Sequence, residues 1–173
     1  MSAADPPRAA AFLDRDGVLN LDVGYPHLEE HLILTPGAAD AVRRLNRQGF
    51  FTVIVTNQSG VARGLFDLDT MNAFNALLVR RLAEQGAVID AVYACPYHDT
   101  AADPRWRHPD HPDRKPNPGM LLRAAADHGL DLTRSIMIGD RESDMEAARR
   151  AGVRGFLFDG PDLNEFVASL LDA

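Results

Sequence analysis

Apolar positions along the chain fall into short runs that stop abruptly, and these runs alternate with stretches of helical spacing. Residues 9–13 are apolar and end at Asp14-Arg15-Asp16-Gly17, the pattern of a buried strand meeting a charged turn. Pro36-Gly37 opens a helical stretch carrying Ala38, Ala41, Val42 and Leu45, closed by Gly49. Residues 50–55 are rich in β-formers and lead into Thr56-Asn57-Gln58-Ser59-Gly60. Met71, Phe74, Leu77, Leu78 and Leu82 share one helix face, with Asp69 or Thr70 as the expected cap and Gly86 beyond the end. Residues 88–94 form a third apolar run, and 95–118 a long loop rich in Pro, His and Asp. A helix is expected over 119–128, a strand over 135–138 broken by Gly139-Asp140, a helix over 143–151, a strand over 153–158 and a helix over 163–171.

Strands and helices alternating in this way predict an α/β fold, a parallel sheet with helices on both faces. Right-handed crossovers bring every strand's C-terminal end to one edge, outside which sites of such folds lie. Residues 1–8, polar with two prolines, are expected to be a flexible tail, and 9–173 a single domain.

Composition narrows the function classes. The chain has 173 residues, 46% hydrophobic and 25% charged, ordinary values for a globular protein. Its net charge of −7 argues against nucleic-acid or anionic-membrane partners. No run is long and apolar enough to span a bilayer, no secretory signal is visible, and a single cysteine excludes an internal disulfide; the cytoplasm and a monomeric state are the expectations.

The chemistry sits at the predicted strand ends. Asp14 and Asp16 follow the first strand, Thr56 and Asn57 the second, and Asp140 the fourth, with Asp144 four residues on; Arg114-Lys115 close the long loop. Each alone is ordinary turn, cap or surface chemistry. Together they place carboxylates, a hydroxyl, an amide and two cations at one edge. Facing carboxylates repel, and a divalent cation relieves that; oxygen ligands with few protein donors suit Mg²⁺. Such a group suits phosphoryl transfer. Asp14 could attack phosphorus, Asp16 could serve as acid and then base, and Thr56 and Lys115 could hold the phosphoryl oxygens. A P-loop nucleotidase is excluded, since its Gly-rich Lys-Ser/Thr signature is missing.

Four segments resemble the haloacid-dehalogenase-like (HAD) phosphatases: FLDRDGVLN (12–20), VTNQSGVARG (55–64), RKPNPGM (114–120) and IGDRESDMEAA (138–148). The resemblance implies a three-layer Rossmann-like fold and an aspartyl-phosphate mechanism. It implies Asp14 as nucleophile, Asp16 as acid/base, Thr56, Asn57 and Lys115 as phosphate ligands, and a Mg²⁺ site from Asp14, the Asp16 carbonyl and Asp140. The segment after Gly60 is too short for a large cap domain, so an open site is expected. Within that superfamily the chain looks most like the bacterial heptose bisphosphate phosphatases, on DVGYPH (22–27), TNQSGVARG and RKPNPGMLL. That likeness implies a sugar bisphosphate substrate losing its 7-phosphate, a role in lipopolysaccharide biosynthesis, and substrate contacts from Asp22, Gly24, Tyr25, Asn57, Gln58, Ser59 and Arg114; Arg63, beside the second segment, joins them as a candidate. Histidinol-phosphate phosphatases share much of the pattern, and Arg141 after the motif Asp leans toward them; a catalytically silent phosphosugar-binding protein is the rival from another class.

The heptose enzymes often carry a zinc knuckle in the long loop. Here Cys95 matches its first ligand, but Tyr97, His111 and Asp113 occupy the other positions. A shifted register would offer Cys95, His98, His108 and His111 to zinc, although their spacing departs from a tetrahedral knuckle, and the loop is read as metal-free, held by its prolines and Trp106.

Overall fold

The computed structural model describes residues 6–173. Of the expected 1–8 tail, residues 1–5 lie outside the described residues, and Arg8 already belongs to the first strand. Five strands, β1 (Arg8–Leu13), β2 (Phe51–Asn57), β3 (Ala91–Cys95), β4 (Leu130–Gly139) and β5 (Arg154–Leu157), form one sheet in the order β3-β2-β1-β4-β5, all parallel. β1 is central because residues 10–13 bury both faces of the strand.

Five helices join these strands: α1 (Ala38–Arg47), α2 (Leu68–Ala83), α3 (Gly119–His128), α4 (Glu142–Ala151) and α5 (Leu163–Leu171). The alternation of β1 sorts them into layers. Ala11 and Leu13 pack, with Ile54 and Ile138, against Val42 and Leu45 of α1, Leu78 and Leu82 of α2 and Val167 of α5. Ala10 and Phe12 face the other way, with Val53, Val55 and Met137, onto Met120, Leu121 and Ala124 of α3 and Ala148 of α4. The result is the three-layer α/β sandwich expected from the alternating pattern.

The chain runs β1, β2, β3 to one side, then returns to the centre for β4 and β5. The switch point therefore lies between β1 and β4, where α/β sheets open a crevice at their C-terminal edge. The register of β1 on β4 shifts between Ala9 and Ala11. There the Ala10 N–H donates to the buried Ser135 hydroxyl at 2.8 Å, and that hydroxyl donates to the Asp131 carbonyl at 2.6 Å. The Ser135 hydroxyl thus satisfies an N–H and a carbonyl at the irregularity, and the strand runs five residues further back than the apolar run at 135–138 suggests.

Candidate active site

β1 hands the chain to a tight turn, Asp14 to Asn20, in which the Arg15 carbonyl accepts from the N–H groups of Val18, Leu19 and Asn20. Gly17 adopts φ +86°, and a Cβ there would collide with the Asp140 carboxylate. Only glycine lets the β1 turn and the end of β4 approach this closely. Gly139 does the same at the β4 end, where a Cβ would run into the Asp144 side chain.

These contacts bring Asp14, Asp140 and Asp144 together, with a carboxylate oxygen of each within 4.8 Å of the others. Lys115 lies among them, only 4% exposed. Its ammonium donates to Asp14 Oδ1 at 2.9 Å, to Asp144 Oδ1 at 2.6 Å and to the Val55 carbonyl at 2.9 Å. Burial pushes the Asp14 carboxyl up to about 7; the pull of Lys115 opposes this, and repulsion from Asp144 and Asp140 adds to it. Burial alone would loosen the Lys115 proton, but Asp14 and Asp144 outweigh it and hold that proton more tightly than in water. Burial and the nearby Asp144 likewise raise the Asp140 carboxyl, against a hydrogen bond from Asp14 and the charge of Arg141.

Asp144 also organises the backbone. Its Oδ2 accepts from the N–H groups of Asp140 and Arg141, both at 3.1 Å, so one buried carboxylate caps α4 and orients Lys115. Asp140 Oδ1 is buried with no hydrogen-bond partner. A cluster of hard oxygen donors with an unmet acceptor and two carboxyls that resist ionising fits a divalent cation of the Mg²⁺ kind.

A cavity of about 520 Å³ opens over this cluster. Of the residues predicted from sequence, Asp14, Asp16, Thr56, Asn57, Lys115, Asp22, Gly24, Tyr25, Gln58, Ser59 and Arg114 line it; Asp140 and Arg63 do not. The Arg63 guanidinium is 6.0 Å from the Tyr25 ring centre, and its Nη2 is 3.4 Å from His98 Nε2. Tyr25 follows Gly24 (φ +84°) with φ +51°, an uncommon conformation for a side chain of this size, in a turn where Asp22 Oδ1 accepts from the Gly24 N–H. Across the mouth, Arg141 reaches Asp22 Oδ2 at 3.3 Å.

Two expected substrate contacts have other partners in the fold. Asn57 accepts from the Lys115 N–H at 3.0 Å and donates to the Lys115 carbonyl at 2.9 Å, a reciprocal pair that pins the long loop to β2. Gln58 is 3% exposed; its Nε2 donates to Thr56 Oγ1 at 2.8 Å and Asp16 Oδ2 at 3.1 Å, and its Oε1 accepts from Arg15 at 3.0 Å.

The four zinc candidates do not converge. Among the described residues, the acidic trio is the only group of three or more His, Cys, Asp or Glu close enough to share an ion. Cys95 Sγ lies 3.9 Å from His111 Nδ1, which also accepts from the Asp113 N–H. Desolvation pushes the Cys95 thiol up, away from the thiolate a metal needs. His111 stacks on Tyr97 at 4.0 Å and Tyr97 abuts Trp106, while His98 Nδ1 turns to Thr100. Aromatic packing thus fills the centre of the loop.

Sequence reading did not single out Arg15 and Asn75, and put Asp144 beside the site without a role. Arg15 looked like the variable middle of an Asp-x-Asp turn, yet its side chain is fully buried. The available signal for Asp144 was its spacing from Asp140 within a helix's first turn, where carboxylates are usually simple caps.

A central parallel strand ending in paired carboxylates, with a lysine from the loop before α3 and a third carboxylate from the end of β4, is the architecture of a HAD-like hydrolase, and the HAD-hydrolase-like family profile matches residues 113–160. The chain is 46% identical over 172 residues to the D-glycero-beta-D-manno-heptose-1,7-bisphosphate 7-phosphatase of Rhodopseudomonas palustris, covering 99% of this chain and 94% of the relative. It is 49% identical over 161 residues to the D-glycero-D-manno-heptose-1,7-bisphosphate 7-phosphatase of Thermosynechococcus vestitus, covering 87% of this chain and 79% of that one. The crystal structure of D,D-heptose 1,7-bisphosphate phosphatase from B. bronchiseptica, complexed with magnesium and phosphate, superposes with a TM-score of 0.79 at 33% identity, over 95% of this chain and 98% of that one. The chain belongs to the D-glycero-D-manno-heptose 1,7-bisphosphate 7-phosphatase family. No helix among the described residues is long and apolar enough to cross a membrane.

Proposed function

We propose that this chain is a Mg²⁺-dependent phosphoric monoester hydrolase that removes the 7-phosphate of D-glycero-D-manno-heptose 1,7-bisphosphate through an aspartyl-phosphate on Asp14. The observation that carries the reading is the buried Lys115 ammonium held 2.9 Å from Asp14 Oδ1, at the floor of a polar cavity that Asp16 also lines.

An Asp14 carboxylate oxygen attacks phosphorus, and the P–O bond to the sugar breaks. Asp16 gives its proton to the departing oxygen. Thr56 and Lys115 hold the phosphoryl oxygens as charge shifts between the entering and leaving atoms. Water then attacks the phosphorus of the aspartyl-phosphate while Asp16 takes the water's proton; the P–O bond to Asp14 breaks, and phosphate leaves. Asp14, Asp140 and the Asp16 carbonyl would hold Mg²⁺, which supplies positive charge to offset that of the phosphoryl group as it meets a carboxylate nucleophile. Asp22, Gly24, Tyr25, Ser59 and Arg114, which line the cavity, would meet the sugar and its second phosphate, with Arg63 beside Tyr25; a monomer acting on a free phosphosugar suffices.

The test is phosphate release from both anomers of the heptose bisphosphate and from histidinol phosphate, with Mg²⁺ and with chelator. Faster turnover of a heptose bisphosphate, lost with chelator and restored by Mg²⁺, is expected. Faster cleavage of histidinol phosphate would reassign the substrate, and full activity in Asp14→Ala would refute the mechanism.

A further inference from the structure

We propose that Arg15 is a positioning residue: its guanidinium aims the Asp16 carboxyl at the leaving oxygen and locks that aim to the loop that walls the sugar pocket. The inference deepens the reading of Asp16 as acid/base and rests on it.

Arg15 is fully buried, a costly place for a cation that sits between two motif carboxylates. Every polar group it meets belongs to a different part of the site. Its Nε and Nη2 fork onto Asp16 Oδ1 and Oδ2 at 2.9 and 3.0 Å. Nη1 donates to Asn75 Oδ1 on α2 at 2.9 Å, and Nη2 also reaches the Pro26 carbonyl at 3.1 Å and Gln58 Oε1 at 3.0 Å. The guanidinium carbon lies 4.6 Å from the Phe74 ring centre. Placed over that ring and held by these acceptors, the fork is fixed in orientation, and a bidentate carboxylate must adopt the matching plane.

The far side of Asp16 is held as well. Asn20 Nδ2 donates to Oδ1 at 2.9 Å and Gln58 Nε2 to Oδ2 at 3.1 Å. The same Gln58 amide nitrogen donates to Thr56 Oγ1. One arginine thus joins the carboxyl expected to move the proton, the hydroxyl expected to hold phosphate, and the backbone of the 22–27 loop. An acid/base group needs to sit within hydrogen-bond reach of the atom it protonates, and an error of about 1 Å can cost ~10²-fold in rate.

The experiment compares two esters. Loss of an alkoxide from the sugar requires a proton; p-nitrophenolate leaves without one. kcat/KM reports steps up to release of the alcohol, so a misplaced acid lowers it for the sugar ester far more than for p-nitrophenyl phosphate. For Arg15→Met, the loss in kcat/KM on the heptose bisphosphate should exceed the loss on p-nitrophenyl phosphate by about tenfold or more, within the range of ~10²–10⁴ that general acids supply. Asp16→Asn should show the same excess, and Arg15→Lys, which keeps the charge and loses the fork, a smaller one. Equal losses on both esters in Arg15→Met, beside a clear excess in Asp16→Asn, overturn this inference alone. No excess in Asp16→Asn overturns the acid/base reading and this inference with it. If Arg15→Met does not fold, Asn75→Leu carries the same comparison: it removes one anchor of the fork and leaves Arg15 on Asp16, an excess of severalfold is expected, and equal losses overturn the inference.

Discussion

Replacing Asp144 with Asn keeps the shape of the side chain and removes its charge. The amide oxygen can still accept from the Asp140 and Arg141 N–H groups, which turns the amide nitrogen, a donor, toward the Lys115 ammonium 2.6 Å away. Lys115 and Asp144 are both almost fully buried, so water cannot replace the lost partner. Breaking a buried pair by removing one member costs about 3–5 kcal/mol. At about 2–4 °C per kcal/mol for a chain of this size, the midpoint of thermal unfolding should fall by roughly 6–20 °C. Activity should fall too, because an ammonium released by Asp144 settles fully on Asp14 and no longer stands ready for phosphate. Loss of one preorganised donor of this kind is worth ~10²-fold in kcat. Thermal unfolding followed by circular dichroism, and phosphate release at saturating substrate, measure both. A midpoint within about 2 °C of the parent, with kcat within about threefold, would refute the assignment of Asp144 as the residue that orients Lys115.

Three further outcomes are expected. With Asp14 raised from 3.8 to about 7, the metal-free folded chain keeps a proton there that the unfolded chain has released, so its stability should fall as pH rises from about 4 to 7. Melting curves in chelator across that window check this; Asp14→Asn should shrink the decline, the raised Asp140 carboxyl keeping a share, and a parent curve that rises instead would contradict it. Asn57→Ala removes both bonds to the Lys115 backbone and should cost about 1–3 kcal/mol by urea denaturation, together with weaker competitive inhibition by inorganic phosphate. Arg141→Ala breaks only an exposed pair with Asp22, so stability should change by less than about 0.5 kcal/mol, while KM for the sugar bisphosphate reports any contact the Arg141 side chain makes at the mouth.

Much of the layered fold was legible because parallel strands buried on both faces write continuous apolar runs, and each run stops where a charged turn begins. α3 and α5 fall where helical spacing puts them, over 119–128 and 163–171. Misplacements have local causes. α2 begins earlier than expected because Asp67, rather than Asp69 or Thr70, caps it, its side chain accepting from the Thr70 N–H. β4 starts at Leu130 although residues 131–134 look like a polar loop, since pairing with Arg8 and Ala9 depends on partners far off in sequence. β3 begins only at Ala91, because residues 88–90 pair largely through side chains: those of Asn46 and Thr52 bind the Val88 backbone, and the Asp90 carboxylate accepts from Thr52, beside one backbone bond from the Asp90 N–H to the Thr52 carbonyl.

The site divides along the same line. Groups at strand ends, such as Asp14, Thr56 and Asp140, could be read from where apolar runs stop. The partners of those groups could not. Whether Asn57 faces a ligand or the Lys115 backbone, and whether Arg15 points outward or under Asp16, depends on residues 58 and 60 positions distant. In the loop, Cys95, His98, His108 and His111 have metal-binding chemistry, and their spacing already spoke against a shared ion; the structure turns Nδ1 of the three histidines to the N–H groups of Thr100, Asp110 and Asp113.

The ammonium of Lys115, shared between two acids before any guest arrives, bears on how the product of the proposed reaction would depart. Inorganic phosphate must lure that cation away from Asp14 and Asp144, so each new contact is offset by an old one given up. On the proposed reading, vacating the pocket restores a pairing the chain supplies for itself.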